Sequence, residues 1–228
     1  YDTQYKKVVW SDRWQEKWDN LPSIKGSLSD GLLKALDAKS KIEKRVDNTN
    51  TEAYEYYLKG KYMYQKAKNI KDTEMAIRLY QQAIELDNNL IVAKNSIGFT
   101  YINSGEYDKS LKILTNAMKQ ADELGDEFGM GGCLNKIGNV YWYKGDYDKA
   151  LSYFTRSIKV QDAVGDKNGI MSNLGSIGGV YYDKGDYDKV LDYFSRSLVI
   201  SQQVNDKREM GRIYFYFGRV YNNTGEMM

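Results

Sequence analysis

GNVYWYKGDYDKALSYFTRSI (Gly138–Ile158) and GGVYYDKGDYDKVLDYFSRSL (Gly178–Leu198) are two copies of one sentence, 40 residues apart. The same step carries Gly98, Gly138, Gly178 and Gly218, then Tyr101, Tyr141, Tyr181 and Tyr221, and then Gly105, Gly145, Gly185 and Gly225. A fixed period of this length marks a stacked array in which each unit buries its apolar face against its neighbours. Within a copy, Leu134, Ile137, Gly138 and Tyr141 fall at i, i+3, i+4 and i+7, one face of a helix. Lys144-Gly145-Asp146 closes that helix, because glycine accepts the left-handed conformation and aspartate caps the next start. Ala150, Leu151, Phe154, Ser157 and Ile158 then mark a second helix, and Gly125-Asp126, Gly165-Asp166 and Asn205-Asp206 separate one pair from the next.

Composition narrows the function classes. The chain has 228 residues, 33 Lys plus Arg against 31 Asp plus Glu, and a net charge of +2. That balance, with no dense basic run, argues against a dedicated nucleic-acid binder. There is no His, which removes the commonest general base and the commonest metal ligand together. A single Cys133 excludes an intramolecular disulfide framework. No apolar run reaches the roughly 20 residues that span a bilayer. The chain starts at Tyr1 with no signal-peptide pattern and stops at Met228, where another helix is expected to begin. It reads as a fragment, with a cytoplasmic location as the expectation.

The order Leu134, Gly138, Tyr141, Ala150, Phe154 resembles the tetratricopeptide repeat. The 40-residue version with its Gly-Asp junctions is similar to the longer repeats of the Pins and kinesin light chain type. The resemblance implies an all-α, right-handed superhelical solenoid, with residues 51–228 holding about four units and the first helix of a fifth. The first unit is looser: Tyr54, Leu58 and Tyr62, then Ala76, Tyr80 and Ala83, fit the pattern with extra residues between Lys66 and Thr73. Residues 1–50 do not fit. Lys7–Trp10 suits a strand, and Pro22 suits a first helical turn. Leu21, Ile24, Leu28, Leu32, Ala35 and Leu36 form an apolar stripe. VVWSDRW, this stripe and EAYEYYLKGKY resemble the junction at which a TolB-like domain leads into such repeats in bacterial multidomain regulators. Trp10, Trp14 and Trp18 lie at i, i+4, i+8, a pattern of core or domain interface.

Chemistry-bearing constellations are few. The two carboxylates of Gly-Asp-Tyr-Asp at 145–148 and 185–188 sit where capping and the helix dipole favour acids. No calcium loop, phosphate loop or nucleophile motif is present, Gly175-Ser176-Ile177-Gly178-Gly179 lies inside a helix, and Cys133 reads as a small packing residue. No catalytic residue, metal or cofactor is expected.

The resemblance places a partner-binding groove along the first helices, three residues before the repeat glycine and one and four after it. Those positions hold Asn95, Phe99 and Ile102; Asn135, Asn139 and Trp142; Gly175, Gly179 and Tyr182; and Phe215, Arg219 and Asn222. Asparagine both donates to and accepts from a peptide backbone, and aromatics supply hot-spot area. Gly175 and Gly179 suggest a widening walled by Trp142, Tyr182 and Phe215. A carboxylate clamp, as in chaperone-binding relatives, is under-supported, because Arg212 and Arg219 lie two units from Asn135 and Asn139. The expectation is a non-catalytic protein- or peptide-binding scaffold within a larger bacterial regulatory protein. The alternative is a sensory module controlling an attached nucleotide cyclase or DNA-binding domain. A third reading is a homodimer formed through the open end at Thr224.

Overall fold

The computed structural model describes residues 50–225. Nine helices follow one another among the described residues, with no strand. They are α1 (Thr51–Lys66), α2 (Ile70–Leu86), α3 (Ile91–Asn103), α4 (Tyr107–Glu123), α5 (Glu127–Tyr143), α6 (Tyr147–Ala163), α7 (Lys167–Lys184), α8 (Tyr187–Gln203) and α9 (Lys207–Thr224). Consecutive helices pair as α1/α2, α3/α4, α5/α6 and α7/α8, and α9 packs on α8. The result is an all-α solenoid of helix pairs. The strand expected at Lys7–Trp10, the helix expected at Pro22, the tryptophan stripe and all of the TolB-like junction except EAYEYYLKGKY (52–62, in α1) fall outside the described residues.

The punctuation works as its chemistry requires. Gly105, Gly125, Gly145, Gly165, Gly185 and Gly225 all have positive φ. At the one junction where the repeat substitutes Asn205, that residue takes φ 55°, and asparagine is the side chain that best tolerates it. Asp126, Asp146, Asp166, Asp186 and Asp206 each cap the following helix, accepting from the backbone N–H three residues on. Glu106 holds the same register before α4 and makes no such bond, its carboxylate lying one methylene further out.

The repeat glycine permits close approach of paired helices. A Cβ on Gly98 would lie 2.5 Å from Leu114, on Gly138 2.6 Å from Phe154, and on Gly178 2.9 Å from Phe194. Phe154, Phe194 and Leu114 are completely buried in successive core clusters. Each cluster joins side chains of adjacent helix pairs, so apolar burial runs along the array. Outside this core the copied tyrosines stack: Tyr141 on Tyr153 (5.4 Å, 12°) and Tyr181 on Tyr193 (5.5 Å, 15°). Lys149 and Arg156 close over the first pair, Lys189 and Arg196 over the second. That stack explains why YDKALSYFTR and YDKVLDYFSR are so alike.

The first pair departs from the expected register. Gly60 plays the glycine's part, its Cβ position 2.7 Å from Tyr80. Ala53, Tyr57, Leu58 and Gly60 are the buried residues on α1, whereas Tyr62 is exposed. The phase is set by Gly60 and Tyr80, whose separation is four residues longer than in the other pairs; α2 follows only three loop residues after α1.

Candidate partner-binding groove

The first helices α3, α5, α7 and α9 carry every candidate groove residue, but the structure divides them. Phe99 is 40% exposed, and Tyr64 of α1 meets it edge-on. Phe215 is 61% exposed, while Arg219 and Asn222 also face solvent. The Arg219 guanidinium lies 4.8 Å from the Tyr182 ring centre and 5.7 Å from that of Phe215. A cation is thereby held between an aromatic of α7 and one of its own helix. Tyr182 is also fixed through its hydroxyl, which accepts from Asn223 Nδ2 (3.3 Å).

Four positions are closed to a partner. Ile102 is buried in the core with Leu114, Ile137 and Val140. Asn95 is buried and spends its amide N–H on the Gly129 carbonyl (3.2 Å). The widening floored by Gly175 and Gly179 is corrected: both glycines are buried. A Cβ on Gly179 would lie 2.3 Å from the Trp142 ring, and one on Gly175 would lie 2.0 Å from Arg212 Nη2. The space these glycines leave is filled by Trp142 from one neighbour and Arg212 from the other. They admit cross-unit side chains, and no hollow remains.

Trp142 is anchored in turn. Its indole Nε1 donates to Asp183 Oδ2 at 2.6 Å, and its ring meets Phe154 edge-on. The same link recurs along the array: an aromatic of one first helix bonds to a polar residue one position further along the next, as in Tyr64 with Asn103 and Tyr182 with Asn223. Ile102 has no polar atom with which to make it.

Asn135 and Asn139, both half-buried, form the outer part of an amide chain. Asn139 Nδ2 donates to Asn135 Oδ1 (3.4 Å), and Asn135 Nδ2 donates to Asn173 Oδ1 (2.8 Å). Asn173, fully buried, turns its NH2 towards Ser157 Oγ (2.9 Å), Gln161 Oε1 (2.7 Å) and the Gly169 carbonyl (3.0 Å), three acceptors that share its two hydrogens. Ser157 Oγ donates to the Gly131 carbonyl (2.8 Å). Sequence reading missed Asn173. The signal was there: its equivalents one unit back are apolar, with Cys133 for Asn173, Ala117 for Ser157 and Ala121 for Gln161, and those three pack together as a small apolar cluster.

Cys133 sits in that cluster, completely buried, and burial pushes its thiol up to about 12. Such a thiol is a packing group and a poor nucleophile. Among the described residues no set of three His, Cys, Asp or Glu could hold a metal ion, and no helix is long and apolar enough to cross a membrane.

Comparison with known proteins agrees with this architecture. Tetratricopeptide repeat family models match residues 89–163 and 67–90. Among solved structures, aspartyl phosphate phosphatase F from Bacillus subtilis is 21% identical over 72% of this chain, with TM-score 0.62. The chain spans 43% of that protein's length. A Rap protein complexed with competence and sporulation factor is 16% identical over 86% of this chain and 68% of its own, with TM-score 0.63. BtubC (BKLC) from P. vanneervenii is 18% identical over 90% of this chain and 85% of its own, with TM-score 0.63. No curated protein matches the chain. The chain carries tetratricopeptide repeats over residues 67–163, and its described helix pairs form a solenoid of the kind those repeats build.

Proposed function

We propose that this chain is a non-catalytic module that binds a peptide or an extended protein segment along its first helices, within a larger bacterial regulatory protein. The observation that carries the reading is the Arg219 guanidinium held between Tyr182 of α7 and Phe215 of α9, with Asn222 beside it on α9. Aromatic rings and a guanidinium held on them are side-chain types enriched in protein interfaces, and tyrosine and arginine recur in their hot spots. Their rigidity lowers the ordering cost of association. The amide chain ending at Asn139 adds polar contacts suited to a peptide backbone. A Rap protein of the same fold is solved complexed with competence and sporulation factor, which gives a precedent for a bound partner.

The test is binding of a randomised library of short peptides, acetylated and amidated at their ends, to wild type and to Phe215→Ala and Arg219→Ala. Each substitution should weaken a selected binder at least tenfold, about 1.4 kcal/mol, while leaving helicity unchanged. Binders indifferent to both would move the site elsewhere.

A further inference from the structure

We infer that the buried hydrogen bonds around Asn173 fix the direction of the whole amide chain, so that Asn139 offers its partner an oxygen acceptor that calls for an N–H donor. This rests on the groove reading above and adds the polarity of one of its subsites. The polarity follows from donor and acceptor inventory. The Gly169 carbonyl can only accept, so the Asn173 group 3.0 Å from it is the NH2. Ser157 has one hydroxyl hydrogen and gives it to the Gly131 carbonyl, so towards Asn173 it too can only accept. Two backbone carbonyls therefore dictate that Asn173 turns its NH2 inward and its oxygen towards Asn135.

The constraint propagates outward. Asn135 meets an oxygen and must present its NH2, which leaves its own oxygen towards Asn139. Asn139 meets that oxygen and must present its NH2 in turn. Among the described residues nothing donates to the Asn139 oxygen. Asn139 lies one turn from Trp142, whose indole N–H is already given to Asp183. A backbone N–H of an extended peptide satisfies the Asn139 oxygen; a bare carboxylate does not. Flipping Asn139 alone would set oxygen against oxygen at its inner end. Flipping the entire chain would leave the Asn173 oxygen facing carbonyls in a fully buried site, a heavy desolvation cost.

The interior of the same array supports a purpose for the network. One unit back the equivalent positions are Cys133, Ala117 and Ala121, which pack as an apolar cluster and leave Asn95 Oδ1, the counterpart of the Asn135 oxygen, buried without a partner among the described residues. One unit forward they are Ile213, Ser197 and Ser201, and Ser197 Oγ donates to the Met171 carbonyl as Ser157 does to Gly131. The buried amide of Asn173 is thus the departure neither neighbour shares, and it gains nothing in burial over cysteine or isoleucine. The gain lies in holding Asn135 and Asn139 in one orientation, as a pre-organised site does.

Two measurements decide. The first needs no partner. Asn135→Asp puts a carboxylate oxygen against the Asn173 oxygen, so its unfolding midpoint should lie below wild type at pH 7 and recover towards wild type near pH 4, where a protonated carboxyl can donate; an unchanged midpoint at pH 7 would mean the amides can turn, and would overturn the proposal. The second is an amide-to-ester scan of a peptide selected from the capped library. One ester position should weaken binding about tenfold on wild type and should have no effect on Asn139→Ala. If Asn139→Ala loses binding and every ester position weakens both proteins alike, Asn139 does not accept from a peptide N–H and the proposal fails. A binder weakened by Phe215→Ala but insensitive to Asn139→Ala also overturns it, while leaving the groove reading intact. No binder at all would remove both.

Discussion

Replacing Gly138 and Gly218 in turn by alanine perturbs one register of the repeat in two different surroundings. In a helix interior alanine is favoured over glycine by about 1 kcal/mol. At Gly218 no described atom lies within 4 Å of the added Cβ, so that gain is realised in full. For a chain of this size it should raise the thermal midpoint by roughly 2–4 °C. At Gly138 the new methyl would lie 2.6 and 2.7 Å from two carbons of the Phe154 ring, where ordinary contact begins at 3.4 Å. The ring is completely buried among Ala150, Ile177 and Val180 and is met edge-on by Trp142, so it has nowhere to retreat. Overpacking of this kind costs about 1–3 kcal/mol, which exceeds the propensity gain. Gly138→Ala should therefore lower the midpoint by a few degrees, with Gly178→Ala intermediate because its nearest ring carbon is 2.9 Å away. Heating followed by far-ultraviolet circular dichroism reads all three variants. If Gly138→Ala is as stable as Gly218→Ala, the glycine column does not serve helix approach, and the packing account of the 40-residue period is wrong.

Other expected outcomes follow from burial and charge. Phe154→Ala, at a fully buried ring, should cost about 3–5 kcal/mol in urea unfolding, whereas Phe215→Ala, largely exposed, should stay within about 0.5 kcal/mol. Iodoacetamide should label native Cys133 at pH 8 about a thousandfold more slowly than an open thiol, because burial pushes its pKa up to about 12, and urea should abolish the protection. Asp166 caps α7 with a carboxylate whose pKa is raised by burial. Its folded state holds the proton to higher pH than the unfolded chain does, so this group's contribution falls as pH rises from about 3.8 through the raised value. Asp166→Asn keeps a cap and removes that slope, so its midpoint should exceed wild type at pH 7 and converge with it at pH 3. Asp146 and Asp186 act with the opposite sign: Lys149 and Lys189 hold their pKa values down, so their contribution is present at neutral pH and lost on acidification.

The fold was legible because the repeat writes each structural requirement several times. A glycine that admits Leu114, Phe154 and Phe194, and an aspartate that caps each following helix, are local demands with local answers, and a period exposes them. Where the period stretches, legibility drops. In the first pair the extra residues shifted the apparent face of α1 towards Tyr62, and only contact with Tyr80 identifies Gly60 as the repeat glycine.

The groove was legible as a set of positions and not as a surface. Register says which residues share a side of a helix; it does not say what the neighbouring helix sends across. Gly175 and Gly179 looked like missing side chains, hence like room, but Arg212 and Trp142 occupy that room from units on either side. Asn95 and Asn135 hold the same register, yet one is buried against the Gly129 carbonyl and the other is half-exposed. The difference originates one unit further along, where Cys133 offers Asn95 no strong acceptor and Asn173 offers Asn135 one. Reading columns across units would have isolated Asn173, whose equivalents are Cys133 and Ile213, with Ser157 and Gln161 turning polar beside it where the preceding unit has Ala117 and Ala121. In an array of near-identical units, the residues that break a column together mark where the structure departs from the demands of stacking, and there the search for a bound partner should begin.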